Sequence, residues 1–377
     1  MKLLRLAEKA VRKLHLGGAA VTLLSPFCGH GSRTMTPEEA ERVLQTVRPR
    51  RPVTCLLSAP RAWAAPRADV SVIIPTWNNG PYIADCVRSA LSQETGHSFE
   101  LIVIDDGSTD DTADRLSAFA GDGRVRIVHQ PNKGVSAARN LGLEMVEGRY
   151  LYFLDGDDLL LPGMLEKLLS VAEAHGAAIV EGGYSLCGSD GAVRQSIPHR
   201  EGRLGGWQDF SGFVCGKLLE RSLFREVCFP ACGYEDSIMS QILAPAVFEK
   251  GGAAWGIREP VFCYRFNPGG ITQTLTSTPK AVDHLYITEA LMRDRAALGL
   301  ECTQSYYEHL LDMLRLGQTR AAGLPEEQQL ALFTAFRALL LRAFPDSHTT
   351  LPRQERLEKA MKRNSFGQYR LICALTE

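Results

Sequence analysis

From residue 70 onward, apolar positions follow two rhythms that take turns along the chain. Short, unbroken apolar runs at 70–74, 101–104, 125–129, 150–154 and 177–180 are rich in Val, Ile, Tyr and Phe, residues that favour strands. Between them, apolar residues at three- and four-residue spacing predict helices over 83–93, 110–119, 135–145 and 165–175. A strand that is apolar throughout is buried on both faces. Such strands alternating with helices predict an α/β fold, a mainly parallel sheet flanked by helices. Ligands of such sheets bind at the C-terminal ends of the strands.

The flanks read differently. Thr36-Pro37-Glu38-Glu39 combines a cap, a first-turn Pro and early acids, and opens a short helix. Residues 48–66, rich in Arg and Pro, form a connector. The stretch 205–278 is less periodic, with aromatic and Gly-rich pieces, and from 279 the pattern turns helical over 281–298, 304–316, 326–343 and 353–361. Three regions follow: an N-terminal helical extension and linker over 1–68, an α/β domain over 69–278 that changes character near 185, and a C-terminal helical region over 279–377.

Composition narrows the class. The chain has 377 residues, 45% hydrophobic and 23% charged, with a formal net charge of −1, so nothing in the balance points to a nucleic-acid partner. The longest apolar candidate for a membrane span, 16–27, is too short and is broken by Pro26, and no clean cleavage site follows it. Residues 1–16 set Lys2, Arg5, Lys9, Arg12 and Lys13 against Leu3, Ala7, Val11 and Leu14 at helical spacing. That is a basic amphipathic helix, either packed on the body of the protein or making a peripheral contact with anionic lipid. Ten cysteines are scattered as singles with no C-x-x-C pair, and most of them read as reduced, buried thiols of a cytosolic protein.

Polar residues gather where the strands should end. The first strand runs into Pro75-Thr76-Trp77-Asn78-Asn79-Gly80, and the second into Asp105-Asp106-Gly107-Ser108-Thr109-Asp110. The third leads to Asn132-Lys133-Gly134 and a helix with Arg139 and Asn140. The fourth ends in Asp155-Gly156-Asp157-Asp158. Each cluster alone is an ordinary turn or helix cap. Four on one edge make a polar crevice. Three carboxylates in four residues repel one another unless a cation or hydrogen bonds neutralise them, and oxygen-only donors suit Mg2+ or Mn2+. A second carboxylate pair, Glu235-Asp236, either opens a helix or does chemistry.

These residues resemble the family 2 glycosyltransferases, inverting nucleotide-sugar transferases. The matching segments are V-S-V-I-I-P-T-W-N-N, L-I-V-I-D-D-G-S-T-D-D-T, N-K-G-V-S-A-A-R-N, Y-L-Y-F-L-D-G-D-D and G-Y-E-D-S, in the family's order over residues 70–272. The resemblance implies the GT-A fold, Rossmann-like, with a nucleotide-binding half over 69–185 and an acceptor half over 186–278. It implies that Pro75, Thr76, Trp77 and Asn78 line a nucleoside pocket, that Asp106 accepts from the uracil N3–H, and that Arg139, Asp155 and Gly156 lie near the nucleotide. Asp157 would ligate the metal, Mn2+ or Mg2+, Asp158 would either support it or cap a helix, and Asp236 would be the general base. Glu235, Lys217 of V-C-G-K-L-L and Arg265 of Y-R would border the acceptor or its loop. Gly270 stands where the family commonly has Ser, which puts a phosphate contact there in doubt.

The expected function is metal-dependent, inverting transfer of a sugar from a UDP-sugar donor to a hydroxyl of a carbohydrate or lipid-linked acceptor, in surface polysaccharide or glycoconjugate synthesis. It would act in the cytoplasm, either free there or at the inner face of the membrane. The processive synthases of the family carry Q-x-x-R-W and membrane helices, and neither is present, so one sugar or a few would be added. The rival reading is a non-catalytic nucleotide-sugar-binding protein that docks partners. A nucleotidyltransferase ranks lower, because no Gly-rich phosphate loop follows the first strand. The C-terminal helices read as an acceptor-side cap or a homo-oligomer interface, and Arg353, Arg356, Lys359, Lys362 and Arg363 as a solvated helix face.

Overall fold

The computed structural model describes residues 34–270 and 278–375. The basic helix expected over 1–16, and Ile271-Thr272 of the Gly-rich stretch, lie outside the described residues. In chain order the elements are α1 Pro37–Val47, β1 Ala68–Thr76, α2 Gly80–Leu91, β2 Phe99–Asp105, α3 Thr112–Ser117, β3 Val125–His129, α4 Val135–Glu144 and β4 Gly148–Phe153. There follow β5 Leu159–Leu160, α5 Met164–His175, β6 Ala177–Cys187, β7 Val193–Ile197, β8 Gly202–Arg203, β9 Lys217–Glu220, α6 Ala244–Glu249 and β10 Ala253–Arg265. The last five are helices: α7 Asp283–Ala297, α8 Gln304–Arg320, α9 Glu326–Ala343, α10 Glu355–Lys362 and α11 Phe366–Leu375.

The described residues divide into two compact units, one of residues 53–270 with 290–300, the other of 34–52, 278–289 and 301–375. In the first, a sheet runs in the order β3-β2-β1-β4-β9-β6-β10-β5, with β7 beside β6 and β8 beside β10. Strands β1 to β4 are mutually parallel in β3-β2-β1-β4, and β10 is parallel to β6. Strand β9 lies between β4 and β6, antiparallel to both. The fold is therefore mixed α/β, mainly parallel, as the apolar runs predict. The antiparallel β9 has a functional consequence. Its first residue sits at the edge where β4 ends, which delivers residues 211–216 to the same place as the Asp-Gly-Asp-Asp turn.

Helix α4 approaches β1 closely, because a Cβ at Gly142 would stand 2.6 Å from Ile73 Cγ2. Ile73, Leu143 and Ala138 are all buried in that layer. Residues 53–67, grouped with the extension on composition, run with the sheet unit. Arg61 donates to the carbonyls of Phe224 (2.5 Å) and Val227 (2.6 Å) and pairs with Glu144 (2.6 Å). Asp294 accepts from Cys55 N (2.7 Å) and Thr54 Oγ1 (2.8 Å). Cys187 and Cys263, on neighbouring strands β6 and β10, are joined as a disulfide, the exception among cysteines expected to be mostly reduced. Their separation of 76 residues hides the pairing from the sequence. Seven other cysteines among the described residues are in no disulfide.

In the second unit, α1 starts with the expected cap: Glu39 N donates to Thr36 Oγ1 (3.2 Å) and Thr36 N to Glu39 Oε2 (2.8 Å). Arg48 grips Asp283 with two hydrogen bonds of 2.8 Å. Phe333 of α9 packs on Phe366 and Tyr369 of α11, a helix the sequence pattern did not single out. No helix among the described residues is long and apolar enough to cross a membrane.

Candidate active site

The centre of the carboxylate edge is Arg139, from α4, whose side chain is 2% exposed. Its Nη1 donates to Glu235 Oε1 (2.8 Å) and Asp236 Oδ1 (2.9 Å), and its Nη2 to Asp155 Oδ1 (2.9 Å). One guanidinium thus ties the turn after β4 to the Glu-Asp pair some eighty residues later. Its Cζ also lies 5.3 Å from the centroid of the Phe229 ring. One positive charge faces three negative ones. The surplus shows in the titration of the acids. Burial raises the Asp236 carboxyl, and Arg139 only partly offsets it. Burial and the charge of Asp236 push Glu235 up to about 7.

Helix α4 positions this centre with three side chains on one face, at i, i+3 and i+4. Ser136 Oγ donates to the Pro230 carbonyl (2.7 Å). Asn140 Nδ2 donates to the Phe229 carbonyl (2.8 Å), and its Oδ1 accepts from Phe229 N (2.8 Å). The backbone leading to Glu235-Asp236 is therefore held as if by a short strand, and Phe229 packs edge-on against Phe153 at the end of β4. Tyr234 has φ of +64°, a conformation rare for a side chain with a Cβ, just before the two acids. A π-helical turn, Met239–Leu243, follows them and runs into α6.

In the Asp-Gly-Asp-Asp turn, Gly156 lies against Thr76. A Cβ there would stand 2.7 Å from Thr76 Oγ1 and 2.9 Å from its Cβ, so the glycine is required by close packing. Asp157 accepts from Asn267 Nδ2 (2.8 Å), and burial together with the charge of Asp155 raises its carboxyl. Asp158 is fully buried and accepts from the Arg265 backbone N–H (2.9 Å). Burial and the charge of Asp157 hold it well above the usual carboxylate range.

The loops after β1 and β2 flank that turn. Thr76 is buried, and its hydroxyl has no hydrogen-bond partner among the described residues. Pro75 gives its carbonyl to Gly156 N (3.2 Å). Trp77 is 50% exposed. Asn78, at φ of +51°, receives Thr109 N (2.8 Å) on its side chain and donates its own N–H to Ser108 Oγ (2.9 Å). Asp106 is buried and accepts from Gln130 Nε2 (2.7 Å), Lys133 N (2.8 Å) and Gly134 N (2.7 Å). It secures the loop that starts α4, work that the turn pattern did not reveal.

Two residues expected at the acceptor border sit deeper than the sequence suggests. Lys217 is fully buried, its Nζ 3.0 Å from Glu181 Oε1, 2.8 Å from Ser211 Oγ and 2.5 Å from the Phe213 carbonyl. Its three protons are all used, so it underpins the loop and does not face a ligand. The Arg265 guanidinium lies 3.8 Å from Asp85 and over the Tyr82 ring (5.2 Å). Ser136, Asn140 and Asn267 carry no expected role from the sequence, although the spacing of Ser136 and Asn140 on α4 was there to be read.

Among the described residues no group of three or more His, Cys, Asp or Glu side chains makes a complete metal cage. Asp155 and Asp157 nonetheless supply hard oxygens at one turn, and their mutual repulsion is what a divalent cation relieves. Two carboxylates fit an ion that takes its remaining oxygens from phosphates and water.

An α/β sheet with acids gathered at its C-terminal edge is the GT-A architecture of glycosyltransferases. The structure matches S. aureus TarS residues 1–349 solved in complex with UDP-GlcNAc, with a TM-score of 0.62 and 16% identity over 81% of this chain and 90% of that one. The same TarS fragment without a named ligand gives a TM-score of 0.59 at 17% identity over the same shares. At the sequence level, the model of glycosyl transferase family 2 matches residues 71–234. Glycosyltransferase GlyG of Streptococcus pneumoniae is 35% identical over 258 residues, 62% of this chain and 82% of the relative. The putative teichuronic acid biosynthesis glycosyltransferase TuaG of Bacillus subtilis is 31% identical over 222 residues, 58% and 86%. The chain belongs to glycosyl transferase family 2 and is a glycosyltransferase.

Proposed function

We propose that this enzyme moves a sugar from a UDP-sugar to a hydroxyl of a carbohydrate or lipid-linked acceptor, with inversion, in the synthesis of a surface polysaccharide. The observation that carries the reading is Arg139, which joins Asp155 of the nucleotide side to Asp236 in a single ion-paired centre. Asp236 takes the acceptor proton as the oxygen attacks C1. A carboxyl raised by burial has the basicity for this, and Arg139 keeps the ionised form oriented. Glu235, whose carboxyl burial and the charge of Asp236 also raise, orients the acceptor hydroxyl. The unpartnered Thr76 hydroxyl, the Trp77 ring and Pro75 form the nucleoside wall, with Asn78 fixing its loop. Asp106 retains an acceptor lone pair for the base but acts first through the 130–134 loop. A bound divalent ion, held by Asp157 with support from Asp155, would neutralise the diphosphate as it departs. The name of TuaG supports the polysaccharide setting.

The test is release of nucleoside diphosphate from a panel of UDP- and GDP-sugars, with Mn2+ and Mg2+ compared. UDP-sugar turnover that vanishes in Asp236→Asn, while donor affinity by calorimetry stays within about two-fold, is the expected result. Asp157→Ala should instead weaken metal-dependent donor binding. Equal loss of binding and turnover in Asp236→Asn would remove Asp236 from the role of base. A protein that binds donor and never releases diphosphate would favour the docking alternative.

A further inference from the structure

The exposed large apolar side chains of the described residues are Trp77, Val193, Phe213 and Phe266. Trp77 follows β1, Phe266 follows β10, Phe213 precedes the antiparallel β9, and Val193 opens the hairpin after β6. All four therefore lie at the strand ends of the carboxylate edge. Single exposed apolar residues are ordinary. Phe213 differs, because the protein fixes the backbone of a ring it leaves 43% exposed.

The fixing is specific. Ser211 N donates to Glu181 Oε1 (3.0 Å), and the fully buried Lys217 binds both Ser211 Oγ and the Phe213 carbonyl. The next N–H, that of Val214, lies beside the Asp236 carboxylate and works against its upward shift. The Phe213 ring meets Tyr184 edge-on, with centroids 5.8 Å apart and planes at 84°. Tyr184 in turn stacks on Phe262 of β10. A buried ion pair and an aromatic stack thus hold one exposed ring within about 10 Å of the Asp236 carboxylate, since only one peptide unit separates it from the Val214 amide.

We propose that Phe213 is an acceptor-sugar platform: the acceptor presents a pyranose ring whose C–H face lies on the phenyl ring while its hydroxyl reaches Asp236. This rests on the reading of Asp236 as the base. A pyranose offers an apolar face of weakly positive C–H groups, which the negative face of an aromatic ring attracts. A rigid platform loses little entropy when the sugar arrives. Lys217 then acts indirectly, by holding the platform from beneath.

The experiment uses the full chain with its best UDP-sugar and a panel of methyl pyranosides and disaccharides as acceptor probes. Nucleoside diphosphate release is followed with and without each probe. Phe213→Ala should raise the KM of the most stimulating pyranoside about 3- to 10-fold, the worth of one ring contact. Acceptor-independent donor hydrolysis and donor KM should stay at the wild-type values, and Phe213→Tyr should restore the acceptor KM. An unchanged acceptor KM in Phe213→Ala overturns the platform. So does an equal fall in donor hydrolysis, which marks a structural role. A wild type that hydrolyses donor but responds to no pyranoside removes the sugar class of acceptor. A wild type that hydrolyses no donor instead fails the underlying reading of the site, and the platform falls with it.

Discussion

Arg139 and Lys217 are both buried cations, both reached from the same edge of the same sheet, and they do opposite things. Lys217 faces Glu181, a single opposite charge, and spends its other protons on Ser211 Oγ and the Phe213 carbonyl. That centre is balanced in charge, and Glu181 Oε2, without a hydrogen bond among the described residues, lies 3.6 Å from His199 Nε2. Arg139 faces Asp155, Glu235 and Asp236, and its Nε has no partner among the described residues. That centre carries excess negative charge, which burial makes costly and which the raised carboxyls of Glu235 and Asp236 express. A charge-balanced pair stabilises a loop. An unbalanced one is a site awaiting protons, a cation or a substrate.

Removing each cation should separate the two. Arg139→Gln leaves three acids facing one another, and kcat should fall about 10²–10³-fold, the scale for losing a preorganised charged contact. Its stability should also depend on pH. The loss should be largest near pH 8, where the acids must ionise together, and should shrink toward pH 5 as they take up protons. Denaturant melts at the two pH values check this, and a pH-independent loss would make Arg139 a structural residue like Lys217. Lys217→Met strands Glu181, so stability should drop by about 3–5 kcal/mol. Adding Glu181→Leu should recover most of it, and kcat per folded molecule should change less than about ten-fold in either variant. A kcat loss as deep as that of Arg139→Gln would erase the distinction.

The contrast was only half legible in the sequence. The strands β1 to β4 announce themselves because each apolar run stops at a polar cluster, and the α/β class and the acids at 155–158 follow directly. Strand β9 is four residues long, and β10 carries Glu259-Pro260 with register shifts on either side of Pro260, so neither shows a clean period. Their placement decides where Lys217 lies, and the sequence could not tell a buried, paired lysine from one that meets a ligand. Arg139 likewise gave no sign of holding acids 96 and 97 residues away. Asn140 is the clearest missed residue. Asn140→Ala removes two hydrogen bonds to the Phe229 backbone, so the loop bearing the acids should loosen. We expect kcat to fall about 10-fold with donor KM unchanged and stability to drop by about 1–2 kcal/mol. A rise in donor KM with kcat intact would place Asn140 on the nucleotide side instead.

The smallest expected effect sharpens the comparison most, because it separates the charge of the unbalanced centre from its packing. Glu235→Gln keeps shape and removes one of the three negative charges. In the wild type, the folded protein holds the Glu235 proton up to about pH 7, whereas an unfolded Glu loses it near its ordinary value of 4.5. Between those values the native state binds more protons than the unfolded one, so stability falls as pH rises and levels off above about 7. The Gln variant lacks this slope and should gain on the order of 1–3 kcal/mol relative to wild type between pH 4.5 and pH 8. Asp236, freed of a negative neighbour, should ionise more easily, which moves the acid limb of kcat/KM to lower pH. Parallel stability slopes in the two proteins, together with an unmoved acid limb, would mean that the Arg139 centre is as neutral as that of Lys217, and that its three acids are scaffolding.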